Sequence, residues 1–516
     1  MAKALMIQGT GSGVGKSLLV AGLCRLFRNA GVDVAPFKAQ NMALNSFITR
    51  EGGEIGRAQA LQAEAARVEP SFDMNPILLK ATSEASCQVI MHGRVHSNMN
   101  ARSYYAFKNE AWPAVTESFD RLSRRYELIV IEGAGSPAEI NLSKDEVVNM
   151  SIARYARAPV ILVGDIDKGG VFASLFGTVA LLDEDARFIR AFVINKFRGD
   201  MSILEPGLHM IREKTGRPVL GVIPYLGDLG LHEEDGIPLE RYSLNMKVGR
   251  PDSVKIVILR LRYIANFTDF DPFLYEPDVE VIYSLRAGDI ENADVVMIPG
   301  SKNTISDLQF LRETGIAVSV KRAMEKGAMV VGLCGGYQML GQKIFDPFGV
   351  ESNQKEVVGL GLLDTETVFE NSKVTTQVEA VLNRSSTVNA QCLTYNNDET
   401  LKGYEIHMGR TIGDVGLFTL KRTSANSELW APNAERIKEG SAKGTVWGTY
   451  LHGIFDNDRF RRDFINGLRE KRGFRTISET VDYAQIRDRA LEKWSAILQR
   501  NIDMSAVEHI VNSPLS

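Results

Sequence analysis

The residues best suited to chemistry stand in the run Val330-Val331-Gly332-Leu333-Cys334-Gly335-Gly336-Tyr337-Gln338-Met339-Leu340. An apolar stretch ending in glycine, then cysteine, then two more glycines before apolar residues at helical spacing is how a strand turns sharply into a helix. Cys334 falls at the corner. The glycines on both sides relieve crowding in so tight a turn, and the free N–H groups of the following helix favour the thiolate. A cysteine placed this way is a nucleophile that needs a base. Gly444–Tyr450 reads as a strand ending in Leu451-His452-Gly453, which makes His452 the base of choice among the seven histidines. His407, within Gly403-Tyr404-Glu405-Ile406-His407-Met408-Gly409-Arg410, reads as a residue that shapes the site. Pro299-Gly300-Ser301-Lys302-Asn303 ends the strand expected beside the elbow, so the N–H groups of Gly300 and Gly335 are candidates for an oxyanion hole serving a thiol-attacked amide.

A second constellation opens the chain. Ala4 to Gln8 reads as a buried strand, followed by Gly9-Thr10-Gly11-Ser12-Gly13-Val14-Gly15-Lys16-Ser17 and a helical run from Leu18 to Asn29 closed by Gly31. Strand, glycine loop, Lys-Ser and helix make a phosphate cradle. Gly11, Gly13, Val14, Gly15 and Lys16 are its expected ATP contacts, and the Ser17 hydroxyl is an expected Mg²⁺ ligand. The strict phosphate-loop pattern wants glycine where Thr10 stands, and the extra glycine comes one residue earlier, at Gly9. Further carboxylates end later strands. Glu132 follows Leu128–Ile131 and is expected to hold Mg²⁺, as is Asp165, with Asp167 beside it; Asn195, before Lys196, is a candidate contact to the nucleobase.

The elements that must position these residues alternate regularly. Strands at Val32–Phe37, Leu128–Ile131, Pro159–Gly164, Ile189–Asn195 and Val219–Ile223, with helices between them, predict a doubly wound, mostly parallel α/β sheet. A second alternation runs through Val254–Leu259, Val279–Tyr283, Val295–Ile298 and Met329–Leu333. The expected division is a domain at 1–235 with an insertion at 38–126, a linker at 236–253, a second domain at 254–460, and a polar helical extension at 461–516. The insertion, with helices such as Gly56–Val68, is too long for a simple crossover and should shape a substrate surface. Its candidates are Gln40, Asn41, Asn45 and Lys80, side chains that suit carboxylates and amides.

Composition bounds the function. Sixty basic and 64 acidic side chains in 516 residues leave a net charge of −4, which offers no electrostatic footprint for nucleic acid or an anionic membrane. The four cysteines, Cys24, Cys87, Cys334 and Cys392, show no C-x-x-C spacing, so neither a disulfide framework nor a zinc site is indicated. The start lacks a signal peptide's apolar region, the longest apolar run is too short to cross a bilayer, and a cytoplasmic setting is expected.

The glycine loop resembles that of dethiobiotin synthetase and its relatives, and the elbow half resembles the class I glutamine amidotransferases, which are flavodoxin-like. Together the halves resemble the cobyric acid synthase family, most specifically at Lys38-Ala39-Gln40-Asn41-Met42, Asn75-Pro76-Ile77-Leu78-Leu79-Lys80, Glu132 to Leu142 and Leu333 to Leu340. The resemblance implies ATP- and Mg²⁺-dependent amidation of adenosylcobyrinic acid a,c-diamide at its b, d, e and g side chains. Ammonia would be released from glutamine at Cys334, with His452 as base, and used at the ATP site. The expected partners are therefore glutamine and a corrinoid. The chain departs from the family pattern in two places. Class I glutaminases commonly carry glutamate two residues after the histidine, where this chain has Ile454, so Asp456 and Glu405 stand as candidates to orient His452. Either Asp145 or Glu146 fills the family's carboxylate position near the corrinoid. The alternatives are a related amidotransferase (cobyrinic acid a,c-diamide synthase or a cell-wall amidating enzyme), a partitioning-type ATPase, which has no need of the Cys334 elbow, and a non-catalytic corrinoid carrier.

Overall fold

The computed structural model describes residues 2–81, 86–141, 146–227, 229–231, 251–383, 399–424 and 436–513. Two compact units share the chain: Met1–Ala43, Glu54–Gly236 and Gln485–Ser516 form the first, and Leu44–Gly53 with Ile237–Ala484 the second.

In the first unit six strands, β1 (Lys3–Gly9), β2 (Val34–Phe37), β3 (Leu128–Glu132), β4 (Val160–Asp165), β5 (Ile189–Phe197) and β6 (Val219–Pro224), lie in the order β6-β5-β4-β1-β3-β2. All neighbouring pairs are parallel. β3 is buried along its whole length, as a strand covered on both faces must be. Helix α1 (Lys16–Asn29) starts after left-handed Gly15 and is followed by Gly31 at φ 85°, the expected left-handed close. The insertion holds more than the expected helices. Besides α2 (Arg57–Ala65) and a long helix at Ala101–Ser123, it carries a four-stranded sheet of Gln40–Met42, Ile77–Ala81, Ser86–Met91 and Arg94–Asn100. The buried positions there include Lys80 and Gln88, and polar letters of that kind read as surface in a sequence.

In the second unit β7 (Val254–Leu259), β8 (Val279–Ser284), β9 (Val295–Ile298), β10 (Met329–Leu333), β11 (Ser441–Lys443) and β12 (Val446–Thr449) lie in the order β8-β7-β9-β10-β12-β11. The pairs are parallel except β11 with β12. The first five follow the flavodoxin-like order, whose switch point gathers ligands beyond the carboxyl ends of the strands. A second sheet in this unit holds the long strands Thr365–Leu382 and Leu401–Gly413 as an antiparallel pair.

The stretch expected as a single extension at 461–516 is divided. Helix Asp458–Lys471 stays with the second unit, where Arg461 binds Glu276 at 2.7 Å and Arg462 binds Asp278 at 2.8 Å, all four side chains buried. The tail, with α4 at Met504–Asn512 preceded by most of α3 (Tyr483–Asn501), belongs to the first unit.

Candidate active sites

In the second unit, β10 ends at Leu333 and Cys334 takes φ 51°, ψ −109°, a conformation that costs a non-glycine residue about 1–3 kcal/mol. The turn is held by Cys334 N donating to Thr449 O at 2.8 Å and Gln338 N donating to Cys334 O at 3.0 Å. The flanking glycines serve close approach. A Cβ on Gly336 would lie 1.9 Å from Ile298 O, and one on Gly332 would lie 2.7 Å from the Gly336 backbone. Cys334 Sγ is half-buried and points to Ile406 O at 3.4 Å.

His452 is brought to the same place by the chain that follows β12. A Cβ on Gly300 would sit 3.6 Å from His452 Cε1 and 3.8 Å from Cys334 Cβ, so glycine there keeps the space between the two open. Gly335 opens the short helix after the cysteine. The imidazole is 1 % exposed. Its Nδ1 lies 2.7 Å from Asp269 Oδ2, while Asp269 Oδ1 accepts from Gly453 N at 3.0 Å. A carboxylate at Nδ1 fixes the tautomer with the proton on that nitrogen. Nε2 is buried and makes no hydrogen bond among the described residues, so it is the nitrogen left to exchange a proton. Burial works against charge on the ring, but Asp269 outweighs it and, with Cys334, lifts the imidazole from 6.5 to about 10. Near neutral pH the ring therefore holds a proton on each nitrogen, and the one on Nε2 is free to be given up.

Neither candidate orienter takes that role. Glu405 binds His407 Nε2 at 3.3 Å and Arg422 Nε at 2.8 Å, and the orienting carboxylate is Asp269, 183 residues before the histidine. Asp456 lies one turn beyond, its N–H donating to Gly453 O at 3.0 Å. Nothing in local spacing marked Asp269; its one signal is the polar Asn266-Phe267-Thr268-Asp269 run following a strand. His407 stacks on Tyr450 at 3.8 Å, as a shaping residue would.

In the first unit the glycine loop joins β1 to α1. Lys16 Nζ donates to Gly11 O at 2.9 Å and to Gly135 O at 3.3 Å. Ser17 Oγ donates to Glu132 Oε1 at 2.8 Å, and Lys38 Nζ reaches the same oxygen at 2.8 Å. Gln62 donates to Glu132 Oε2 at 2.5 Å and Gln59 at 3.3 Å. Burial alone would raise this carboxyl, but Lys38, Gln62 and Ser17 more than offset it and leave it below its ordinary value. An ionised carboxylate beside a hydroxyl is the hard oxygen pair that Mg²⁺ takes along with phosphate oxygens and water, so Ser17 and Glu132 fit that ion. Asp165 does not join them. It stands on β4, on the other side of β1, bound to Lys196 at 3.2 Å and to Asp167 N at 2.9 Å. Asp167 itself pairs with Arg198 at 3.3 Å. Asn195 braces the loop from beneath, Nδ2 donating to Val14 O at 2.9 Å and Oδ1 accepting from Lys196 N, so its amide is turned to backbone and away from a base.

The substrate candidates separate. Asn41 donates to Gln59 Oε1 at 2.9 Å and so supports Glu132 at one remove. Lys80 is sealed in an ion pair with Glu54 at 2.8 Å. Glu146 accepts from the N–H groups of Val148, Asn149 and Ser151 and caps the helix Met150–Tyr155. Asn45 belongs to the second unit, its Oδ1 accepting from Phe267 N at 3.2 Å. Gln40 stays half-buried at the sheet edge, and Asp145 lies outside the described residues. Lys38, Gln59 and Gln62 were missed as site residues, although Lys38 directly follows a buried strand just as Glu132 ends one.

Two family models match the chain. The CobQ/CobB/MinD/ParA nucleotide binding domain covers residues 5–239 and the CobB/CobQ-like glutamine amidotransferase domain covers residues 255–460. Curated relatives named cobyric acid synthase match nearly end to end. That of Thermodesulfovibrio yellowstonii is 47% identical over 99% of this chain and 99% of its own length. That of Thermoanaerobacter sp. is 48% identical over 99% of each.

Proposed function

Because the chain belongs to the cobyric acid synthase family, and with it to the glutamine-hydrolysing carbon–nitrogen ligases, we propose that it amidates the b, d, e and g carboxylates of adenosylcobyrinic acid a,c-diamide, giving adenosylcobyric acid. The observation that carries the assignment of its nitrogen source is His452, buried, held by Asp269 at 2.7 Å and with Nε2 uncommitted next to the Cys334 elbow.

Cys334 sulfur attacks the side-chain amide carbon of glutamine while Nε2 of His452 holds the proton taken from the thiol. The N–H groups of Gly335 and Gly300 are the proposed donors to the oxyanion. Collapse breaks the C–N bond as His452 returns the proton to the departing nitrogen. Water, activated by the same imidazole, then frees glutamate from the thioester. In the first unit a corrin carboxylate oxygen attacks the γ-phosphorus of ATP, ADP leaves, and ammonia displaces phosphate from the acyl phosphate to leave the carboxamide. Lys16 and the loop N–H groups bind the phosphates. Ser17 and Glu132 would hold Mg²⁺, which when bound screens the charge on the transferring phosphoryl group. Lys38 keeps Glu132 ionised in the absence of the ion.

Cys334→Ala is expected to abolish amidation driven by glutamine while leaving amidation driven by ammonium salt, read by counting the amides gained in product mass spectra. Loss of both would overturn the division of labour, and a product gaining fewer amides than the open carboxylates would overturn the substrate assignment.

A further inference from the structure

The loop 44–53 lies in sequence within the nucleotide-binding half but is part of the second unit. Its first residues close on the groups that surround His452. Asp269 is carried by a 3-10 turn, Phe267–Tyr275, whose N-cap residue Asn266 is left-handed and gives it no side-chain cap. The N–H that opens the turn, at Phe267, donates instead to Asn45 Oδ1 at 3.2 Å, so the cap comes from a distant part of the chain. The next residue grips both neighbours of the imidazole through its backbone. Ser46 N donates to Asn266 Oδ1 at 3.0 Å, which turns the Asn266 amide nitrogen toward His452 Nδ1, 3.4 Å away. Ser46 O accepts from the hydroxyl of Tyr404 at 3.3 Å, and the Tyr404 ring stacks on the imidazole at 5.2 Å and 17°. Asn45, Ser46, Asn266 and Tyr404 are all buried. Beyond them Ile48 is fully buried against Tyr404 and Ile406, the residue whose carbonyl faces Cys334 Sγ.

We infer that Asn45 and Ser46 are positioning residues of the glutaminase centre: they cap the turn that delivers Asp269 and clamp Asn266 and Tyr404 on either side of His452. Asn45 touches none of the reacting atoms and acts through Asp269. A part-buried N–H that loses its acceptor is costly enough to shift the turn, and a shifted Asp269 no longer fixes which imidazole nitrogen holds the proton. The inference rests on Cys334 and His452 being the glutaminase pair.

The test uses the full-length enzyme. Asn45→Ala is expected to lower kcat for glutamine hydrolysis about tenfold, the effect of one hydrogen bond on the barrier, while KM for glutamine stays within about twofold. The pH at which kcat is half-maximal is expected to move by about half a unit or more, because the imidazole's partner has moved. Asn45→Asp keeps the acceptor oxygen and should recover most of the rate. Should Asn45→Ala fail to fold, Tyr404→Phe, which keeps the stacked ring and removes the tie to Ser46, must show the same split between kcat and KM. A wild-type kcat and pH profile overturns the proposal. So does a fall in kcat with an unmoved pH profile that Asn45→Asp does not relieve. Glutamine hydrolysis surviving in Cys334→Ala would overturn the nucleophile assignment, whereas a silent Asn45→Ala beside an inactive Cys334→Ala overturns the clamp alone.

Discussion

At the scale of single residues, the carboxylate of Asp269 decides what His452 can do. Asp269→Asn preserves shape but removes the charge and offers an amide that is equally able to donate to Nδ1, which allows the wrong tautomer. Glutamine hydrolysis is expected to fall by about 10²–10⁴-fold, the range for losing the orienting carboxylate of such a dyad, with ammonium-driven amidation retained as the control. Stability carries a second signature. The folded imidazole is raised from 6.5 to about 10, so its contribution is complete below pH 6.5 and is lost as pH rises through 10. In Asp269→Asn that alkaline loss should shrink, which melting curves taken between pH 7 and pH 10.5 would reveal. Cys334, His452 and Glu132 were legible because each sits where an apolar run ends, Ser17 because it closes the glycine loop, and the fold brings Cys334 to His452 and Ser17 to Glu132. Asp269, Lys38 and Gln62 were not, since their meaning lies in a partner tens or hundreds of residues away. Asn45 was legible as a functional letter, but its partner at Phe267 is 222 residues off, and without that partner it read as a substrate contact.

At the scale of elements, strand ends must be held still if they are to aim side chains. Glu439 does this for β12. Its Oε2 accepts from Thr449 Oγ1 and its Oε1 from Tyr450 N, each at 2.6 Å, two residues before His452. Burial pushes this carboxyl from 4.5 up to about 8, against the pull of Thr449 and Tyr450. A raised carboxyl stabilises the fold fully below pH 4.5, and that contribution is lost as pH rises through 8. Glu439→Gln cannot ionise, so its melting temperature relative to wild type should climb between pH 5 and pH 9, by an amount worth on the order of 1–3 kcal/mol. A difference independent of pH would mean that Glu439 is ionised in the native state throughout. The same elements show where pattern reading succeeds. Parallel strands buried on both faces announce themselves as apolar runs, and those of both central sheets are read within a residue or two of their ends. The four-stranded sheet of the insertion hides because its buried polar side chains, such as Lys80 against Glu54, are neutralised by partners and not by water.

At the scale of the whole molecule, the two units have separate apolar cores, and the end of the chain belongs to the core of its beginning. Trp494 is buried, its Nε1 donating to Leu18 O at 2.6 Å, and Leu498 packs beside it where Gly22 leaves α1 bare. A Cβ on Gly22 would come within 2.2 Å of Leu498 Cδ1, so α1 and α3 meet closely at this glycine. Fully buried Arg25 on the same helix holds Asp488 and Glu492 at 2.7 Å each. Because α1 starts at Lys16 and Ser17, the tail supports the phosphate loop from behind. Trp494→Ala removes a large buried ring and orphans the Leu18 carbonyl from that partner, at a cost of about 3–5 kcal/mol. The loss should be confined to the first unit. In hydrogen exchange under mild denaturant, peptides from β1, α1 and β6 are expected to lose protection, those from β7, β9 and β10 to keep it, and ATP to restore the first group by binding the native loop. Uniform loss across both sets would mean that the chain unfolds as one cooperative body despite its two cores.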